Sequence, residues 1–240
     1  MMAAKNDLRT QVAWSCRILA MNGHVDMTLG HVSARGPENQ IYIKRKGIGL
    51  DEVTPRDILT LDLSGAKVEG DGEAHLESPL HTEIYRIRED VGSVIHTHPP
   101  YTTALSATKA KLEMLNHDSL LFYDGLAYFD ENAGLVSNAA LGEAVAEALG
   151  QRKAILMRNH GVLVVGKSVP WATYIALTLE RAVKIQHIAS DLGALSPLQN
   201  EKAEHIFGEK YRDDFTESYW QYLIRVTKRH YSPEAFQDFD

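Results

Sequence analysis

The stretch Val94-Ile95-His96-Thr97-His98-Pro99-Pro100 decides how this chain is read. Ser93-Val94-Ile95 leads into it with the β-branched character of a strand. On a strand, residues i and i+2 face the same side, so His96 and His98 project as a pair. Two neutral imidazoles so placed can share one transition-metal ion. Pro99 and Pro100 end the strand at once, which puts the pair where loops carry chemistry. Far downstream, Asn159-His160-Gly161 offers a third imidazole, and Glu77 upstream offers a carboxylate. Three histidines, with or without the carboxylate, leave room for a substrate on the ion. A structural zinc site closes with four protein ligands, mostly Cys, so this pattern reads as catalytic. A lone His-x-His recurs by chance; its weight here comes from the separated motifs around it.

The 240 residues are 44% hydrophobic and 24% charged, an ordinary globular composition. That length suits one large domain, and residues 1–240 contain no repeat, low-complexity tract or linker that would divide it. The formal net charge of −7 argues against nucleic acid or an anionic membrane as partner. The single cysteine, Cys16, excludes an internal disulfide framework and a cysteine-based zinc cage. No apolar run approaches a membrane span, and Met1 to Thr10 lacks the apolar core of a signal peptide. The expected compartment is the cytoplasm.

Outward from the His-x-His strand, local signals give the element order. Asp7 to Met21 carries apolar residues at helical spacing, and Gly23 ends that helix. Gly30 to Gly36 and Gln40 to Ile43 read as two short strands around Pro37-Glu38-Asn39, and Ile58 to Leu63 as a third, turning at Ser64-Gly65. Ser78-Pro79 signals a helix start, Ser as N-cap and Pro at the first position, running to about Glu89. Gly92 to His96 is the motif strand and Pro100 to Ala107 a short helix. Leu141 to Leu149 is helical, Ala154 to Met157 and Val162 to Val165 are strands, and Ser168-Val169-Pro170 opens a long helix reaching about Leu192. Glu209 to His230 reads as a helical tail. Strands and helices mix without a regular βαβ repeat, which suggests a mixed or antiparallel sheet flanked by helices.

With these motifs in order, the chain resembles the class II aldolase/adducin family, most strongly over residues 8–192. The resemblance rests on Gly30-His31-Val32-Ser33-Ala34-Arg35, Lys46-Gly47, Glu77-Ser78-Pro79-Leu80-His81, the His-x-His strand and Asn159-His160-Gly161. It implies an α/β fold, a three-layer αβα single domain around a mostly antiparallel sheet, assembled as a C4 homotetramer with active sites between subunits. It also implies one divalent metal per subunit on His96, His98 and His160. Glu77 is then a fourth ligand, or an acid/base when substrate displaces it. Such a ligand set suits Zn2+ or Mn2+, with Fe2+ or Co2+ as alternatives.

Departures from the sugar-phosphate aldolases point to the substrate. Their Gly-Asn-x-Ser becomes Gly30-His31-Val32-Ser33, their Thr-Gly becomes Lys46-Gly47, and their Ser-Ser before the carboxylate becomes His75-Leu76. His31, Lys46, Gly47 and His75 are therefore the expected substrate-binding residues, forming a basic and partly apolar anion site. It suits carboxylates on a flat ring better than a tetrahedral phosphate. The place of the aldolases' catalytic tyrosine, presented from a neighbouring subunit, falls on His117, with Tyr123 as the nearby alternative. The family decarboxylases of hydroxylated aromatic or pyridine dicarboxylates match this best, with Glu77 or His117 as proton donor. The alternatives are an aldolase acting on a sugar phosphate or sugar acid and, from another class, a non-catalytic adducin-like module. Epimerases fit less well, because they carry Asp where this chain has Glu77. In the tail, Tyr219, Tyr222 and Tyr231 are available to line a cleft, while Trp220 suits helix packing.

Overall fold

A β-branched strand buried on both faces belongs in the middle of a sheet, and that is where the motif strand lies. The computed structural model describes residues 7–131 and 134–239; the first six residues of the segment read for a signal peptide lie outside it. The strands are β1 (His31–Arg35), β2 (Ile41–Lys44), β3 (Ile58–Leu61), β4 (Lys67–Glu69), β5 (Ser93–Thr97), β6 (Ala127–Phe129), β7 (Ala154–Met157) and β8 (Gly161–Gly166). They form one sheet in the order β4-β3-β2-β1-β5-β8-β7-β6. Every neighbouring pair is antiparallel except β6 with β7. β5 sits between β1 and β8, and all five of its residues are buried.

Two helical layers cover the sheet. One face carries α1 (Leu8–Met21), α3 (Pro100–Ser106), α5 (Val169–Leu192) and α7 (Asp213–His230); its core includes Ile18, Ile95, Val164, Ile175, Leu179 and Trp220. The other carries α2 (Pro79–Ile87) and α4 (Ala139–Leu149), packing Leu80, Ile84 and Val145 over Ile43, Val94 and Leu163. α6 (Asn200–Lys210) packs Ala203 beside Leu120. This is the expected αβα layering. Among the described residues, no helix is long and apolar enough to cross a membrane.

Local chemistry explains most boundaries. Asp7 caps α1 by accepting from the Arg9 and Thr10 amides, and Gly23 follows the helix at φ +87°, a conformation that favours glycine. α3 is capped from a distance. Glu180 on α5 accepts from the Tyr101 and Thr102 amides at 2.9 and 2.8 Å, pinning the chain just after His98.

Two expectations are corrected. Ser78 does not cap α2: its backbone is already helical (φ −53°, ψ −26°) and its side chain makes no capping bond. A turn beginning at His75 runs into the helix, with the Ser78 amide donating to the His75 carbonyl at 3.1 Å. The tail is not one helix from Glu209. It breaks at Tyr211–Arg212, where Arg212 is extended (φ −115°, ψ 158°). Asp213 and Asp214 then open α7, acids that suit a helix N-terminus.

Candidate active site

Sheet register assembles the site. His96 on β5 lies opposite His31 on β1 and Leu163 on β8. His98 follows one residue past β5, and His160 ends the three-residue turn that joins Met157 to Gly161. In that turn Asn159 adopts φ +54°, a conformation asparagine tolerates better than most residues. Gly161 has a steric reason: a Cβ there would meet His98 Cδ2 at 2.4 Å and the Thr97 carbonyl oxygen at 2.8 Å. The Asn-His-Gly motif thus shapes the turn and leaves space for the His98 ring.

Hydrogen bonds fix which nitrogens are free. His96 Nδ1 donates to the Val162 carbonyl at 3.0 Å, and His98 Nδ1 donates to Asp26 Oδ2 at 3.0 Å. His96 Nε2 therefore carries a lone pair, and His98 Nε2 faces it 3.1 Å away. Two nitrogens at that distance need a shared proton or a metal cation between them. Zn–N bonds of about 2.0–2.1 Å would set tetrahedral nitrogens roughly 3.3 Å apart, so the donor set fits an ion. One ligating nitrogen from each of His96, His98 and His160 lies within 4.8 Å of the others, and His31, Glu77 and His96 meet the same limit. Glu77 Oε1 accepts from the Val136 amide at 3.0 Å and lies 3.7 Å from His160 Nε2. Its Oε2 lies 3.6 Å from His96 Nε2 and 3.9 Å from His31 Nε2. Burial, reinforced by the neighbouring imidazoles, holds His96 well below the ordinary histidine range. Burial is also the main cause for His160, opposed by Glu77. Neutral imidazoles are the ligating form.

The second basic group is Lys44, which the sequence reading passed over. It is fully buried, and its Nζ donates to the Thr28 carbonyl at 3.2 Å and to His75 Nε2 at 3.3 Å. Burial lowers its pKa to about 8, so it is charged at neutral pH. His75 lines the cleft and is itself pushed down to about 4, chiefly by burial and then by Lys44. Lys46 does not join this cluster: it points outward, 3.5 Å from Glu73, with a side chain 48% exposed. Gly47 is likewise exposed, at φ +85°.

His117 is exposed on a turn outside the histidine cluster of its own chain, with its carbonyl accepting from the Tyr211 hydroxyl. Tyr123 packs against Phe207 of α6, ring centroids 4.8 Å apart. Tyr219 and Tyr222 line a separate cleft with Tyr174, Arg181 and Lys184, whereas Tyr231 lies over the Arg17 guanidinium at 5.2 Å. Besides Lys44, the sequence reading missed Asp26, whose role depends on a loop path that no local pattern encodes. Ser33, His81 and Tyr85 were also missed as site residues; they form a buried hydrogen-bond chain behind His31.

The cleft over this cluster has a volume of about 640 Å³ and is lined by His31, His75, Glu77, His98 and His160 together with Val25, Leu29 and Leu135. Residues 10–187 match the family described as the Class II Aldolase and Adducin N-terminal domain. The chain is 31% identical over 204 residues to 3,4-dihydroxyphthalate decarboxylase of Arthrobacter keyseri, covering 79% of this chain and 82% of that protein. It is 30% identical over 177 residues to an L-fuculose phosphate aldolase of Methanococcus maripaludis, covering 74% of this chain and 94% of that one. An aldolase II superfamily protein from Pseudomonas syringae superposes with a TM-score of 0.84 at 28% identity, covering 93% of this chain and 92% of that one. With its sheet order, its converging histidines and these likenesses, the chain belongs to the class II aldolase/adducin family.

Proposed function

We propose that the protein is a divalent-metal-dependent carbon–carbon lyase that releases CO2 from a hydroxylated aromatic or heteroaromatic (di)carboxylate. The observation that carries this reading is an apolar wall beside a three-histidine centre: Val25, Leu29 and Leu135 share the cleft with His98, His160 and Glu77. A flat ring can lie against such a wall, whereas a sugar phosphate asks for more hydrogen-bond donors. Buried Lys44, one hydrogen bond behind His75, biases the cleft toward anions. The likeness to the A. keyseri decarboxylase supports the same substrate class.

His96, His98, His160 and Glu77 would hold one divalent ion per chain, Zn2+ or Mn2+ ahead of Fe2+ or Co2+. Bound there, the ion would supply Lewis acidity to the substrate's hydroxyl and adjacent carboxylate. In the reaction, the bond to the departing carboxylate breaks, its electron pair passes into the ring, and a proton returns to the ring carbon. Displaced from the ion by substrate, Glu77 would be suited to hold that proton, since the Val136 amide anchors its Oε1 and its Oε2 lies 3.9 Å from His31 Nε2, a cleft-lining residue. His117, delivered from a neighbouring copy in a homotetramer, is the second candidate donor.

Retro-aldol cleavage of a sugar phosphate or sugar acid is the second reading, favoured by the likeness to the M. maripaludis aldolase. A non-catalytic role sits poorly with three converged histidines. Zinc- and manganese-loaded protein should be screened for CO2 release from hydroxyaryl mono- and dicarboxylates, and in parallel for cleavage of L-fuculose 1-phosphate. CO2 release that Glu77→Gln slows through kcat is expected. Brisk turnover of the sugar phosphate with no response to any aryl carboxylate would overturn the decarboxylase reading and leave a metal lyase.

A further inference from the structure

Behind His31, four buried polar groups form an unbroken chain. The Tyr85 hydroxyl lies 2.8 Å from Ser33 Oγ, Ser33 Oγ lies 2.6 Å from His81 Nδ1, and His81 Nε2 lies 2.6 Å from His31 Nδ1. Exposure is 0% for Ser33 and His81, 1% for Tyr85 and 2% for His31, so water does not complete any of these bonds. Contacts of 2.6 to 2.8 Å each hold one proton between two atoms, so the chain has only two directions in which to run.

The far end chooses between them. Among the described residues, the Tyr85 hydroxyl has one hydrogen-bond partner, Ser33 Oγ. Tyr85 therefore donates to Ser33, Ser33 donates to His81 Nδ1, and His81 Nε2–H donates to His31 Nδ1. The reverse order would bury a phenolic O–H without an acceptor, disfavouring it roughly five- to hundredfold. The proton of His31 is thus left on Nε2, the nitrogen 3.9 Å from Glu77 Oε2. His96 and His98 differ from His31 in donating through Nδ1.

We infer that Tyr85, Ser33 and His81 are positioning residues that lock His31 as an Nε2–H donor, and that this donor binds an anionic oxygen of the substrate. The inference rests on reading this cleft as the substrate site. It also separates the two metal-ligating groups that geometry allows. His31, with its Nε2 protonated, falls outside the ligand set and is left to serve the substrate.

The test reads ring tautomers in 15N-histidine-labelled protein by long-range proton–nitrogen correlation, without metal and with one Zn2+ per chain. Wild-type His31 should be protonated at Nε2 in both states. Ser33→Ala should turn it into a tautomer mixture with zinc stoichiometry unchanged, and Ser33→Thr should restore the single form. Phthalate or inorganic phosphate, titrated separately, should shift the His31 Nε2–H resonance, and whichever acts identifies the anion class. A wild-type His31 protonated at Nδ1 would overturn the inference, and that measurement needs no variant to fold. So would a tautomer unchanged in Ser33→Ala, or a resonance that neither anion moves. Tautomers are read without turnover, so failure of the CO2 screen would sink the decarboxylase reading while leaving this assignment standing.

Discussion

Asp26→Asn isolates the group that orients His98, a proposed metal ligand, without itself being one of the proposed ligands. Asp26 Oδ2 accepts the His98 Nδ1 proton at 3.0 Å, fixing the ring so that Nε2 meets its counterpart on His96. Asparagine keeps the shape and an acceptor oxygen but removes the charge. A hydrogen bond to a charged group is worth about 1.5–3 kcal/mol and a neutral one about 0.5–1.5, so the change costs about 1–1.5 kcal/mol. The Asp26 side chain is 35% exposed, and solvent screening pulls the value toward the lower end. At about 1.4 kcal/mol per decade, a loss of about 1 kcal/mol lowers zinc affinity about fivefold, just under the range for partners of metal-binding histidines. The assay is competition for Zn2+ against a chromogenic chelator at fixed pH. Asp214→Asn, which removes a surface charge paired with Arg212 at the start of α7, serves as the control. A zinc affinity within twofold of wild type for Asp26→Asn, with His98→Ala clearly weaker, would refute the orienting role.

Three further outcomes follow from the same geometry. Gly161→Ala should weaken zinc binding at least as much as Asp26→Asn, because the added Cβ would strike the His98 ring; unaltered zinc affinity in chelator competition would show that the ring has room to move. Lys44→Met should raise KM for an anionic substrate several-fold while Lys46→Ala leaves it within about twofold, and steady-state kinetics giving the reverse order would return the anion site to the exposed loop. Burial drops the histidine pKa to about 3 for both His24 and His81, so the unfolded chain takes up protons there that the folded chain refuses. Their stabilising contribution is complete above about pH 6.5 and drains away as pH falls toward 3, at up to about 1.4 kcal/mol per pH unit for each ring. The urea midpoint should therefore drop between pH 7 and pH 5, and a flat profile would contradict their burial in the neutral form.

The sequence by itself determined most of the elements and pointed to the proposed ligand set. Periodicity, Pro79, Pro99-Pro100 and Gly23 set helices and strands within a few residues of their observed ends, because caps and breakers act over a single turn. His96 and His98 were legible as a pair because a strand forces i and i+2 onto one side; Glu77 and His160 were offered by residue type, and the resemblance assigned their roles. Three-residue β4 and β6 were not legible, since so short a strand exists only through the neighbour that pairs with it. Nor was the break at Tyr211–Arg212, where the Arg212 backbone turns extended within a helical pattern. The tertiary structure alone decided the polarity of the site. It chose Lys44 over Lys46, because strand β2 buries one residue and the loop after it exposes the other two positions on. It paired Asp26 with His98 across 72 positions, and it joined Tyr85, Ser33 and His81 to His31 through contacts about 50 residues apart. A residue's type names the proton it can carry; only its packed neighbours decide which of its atoms carries it.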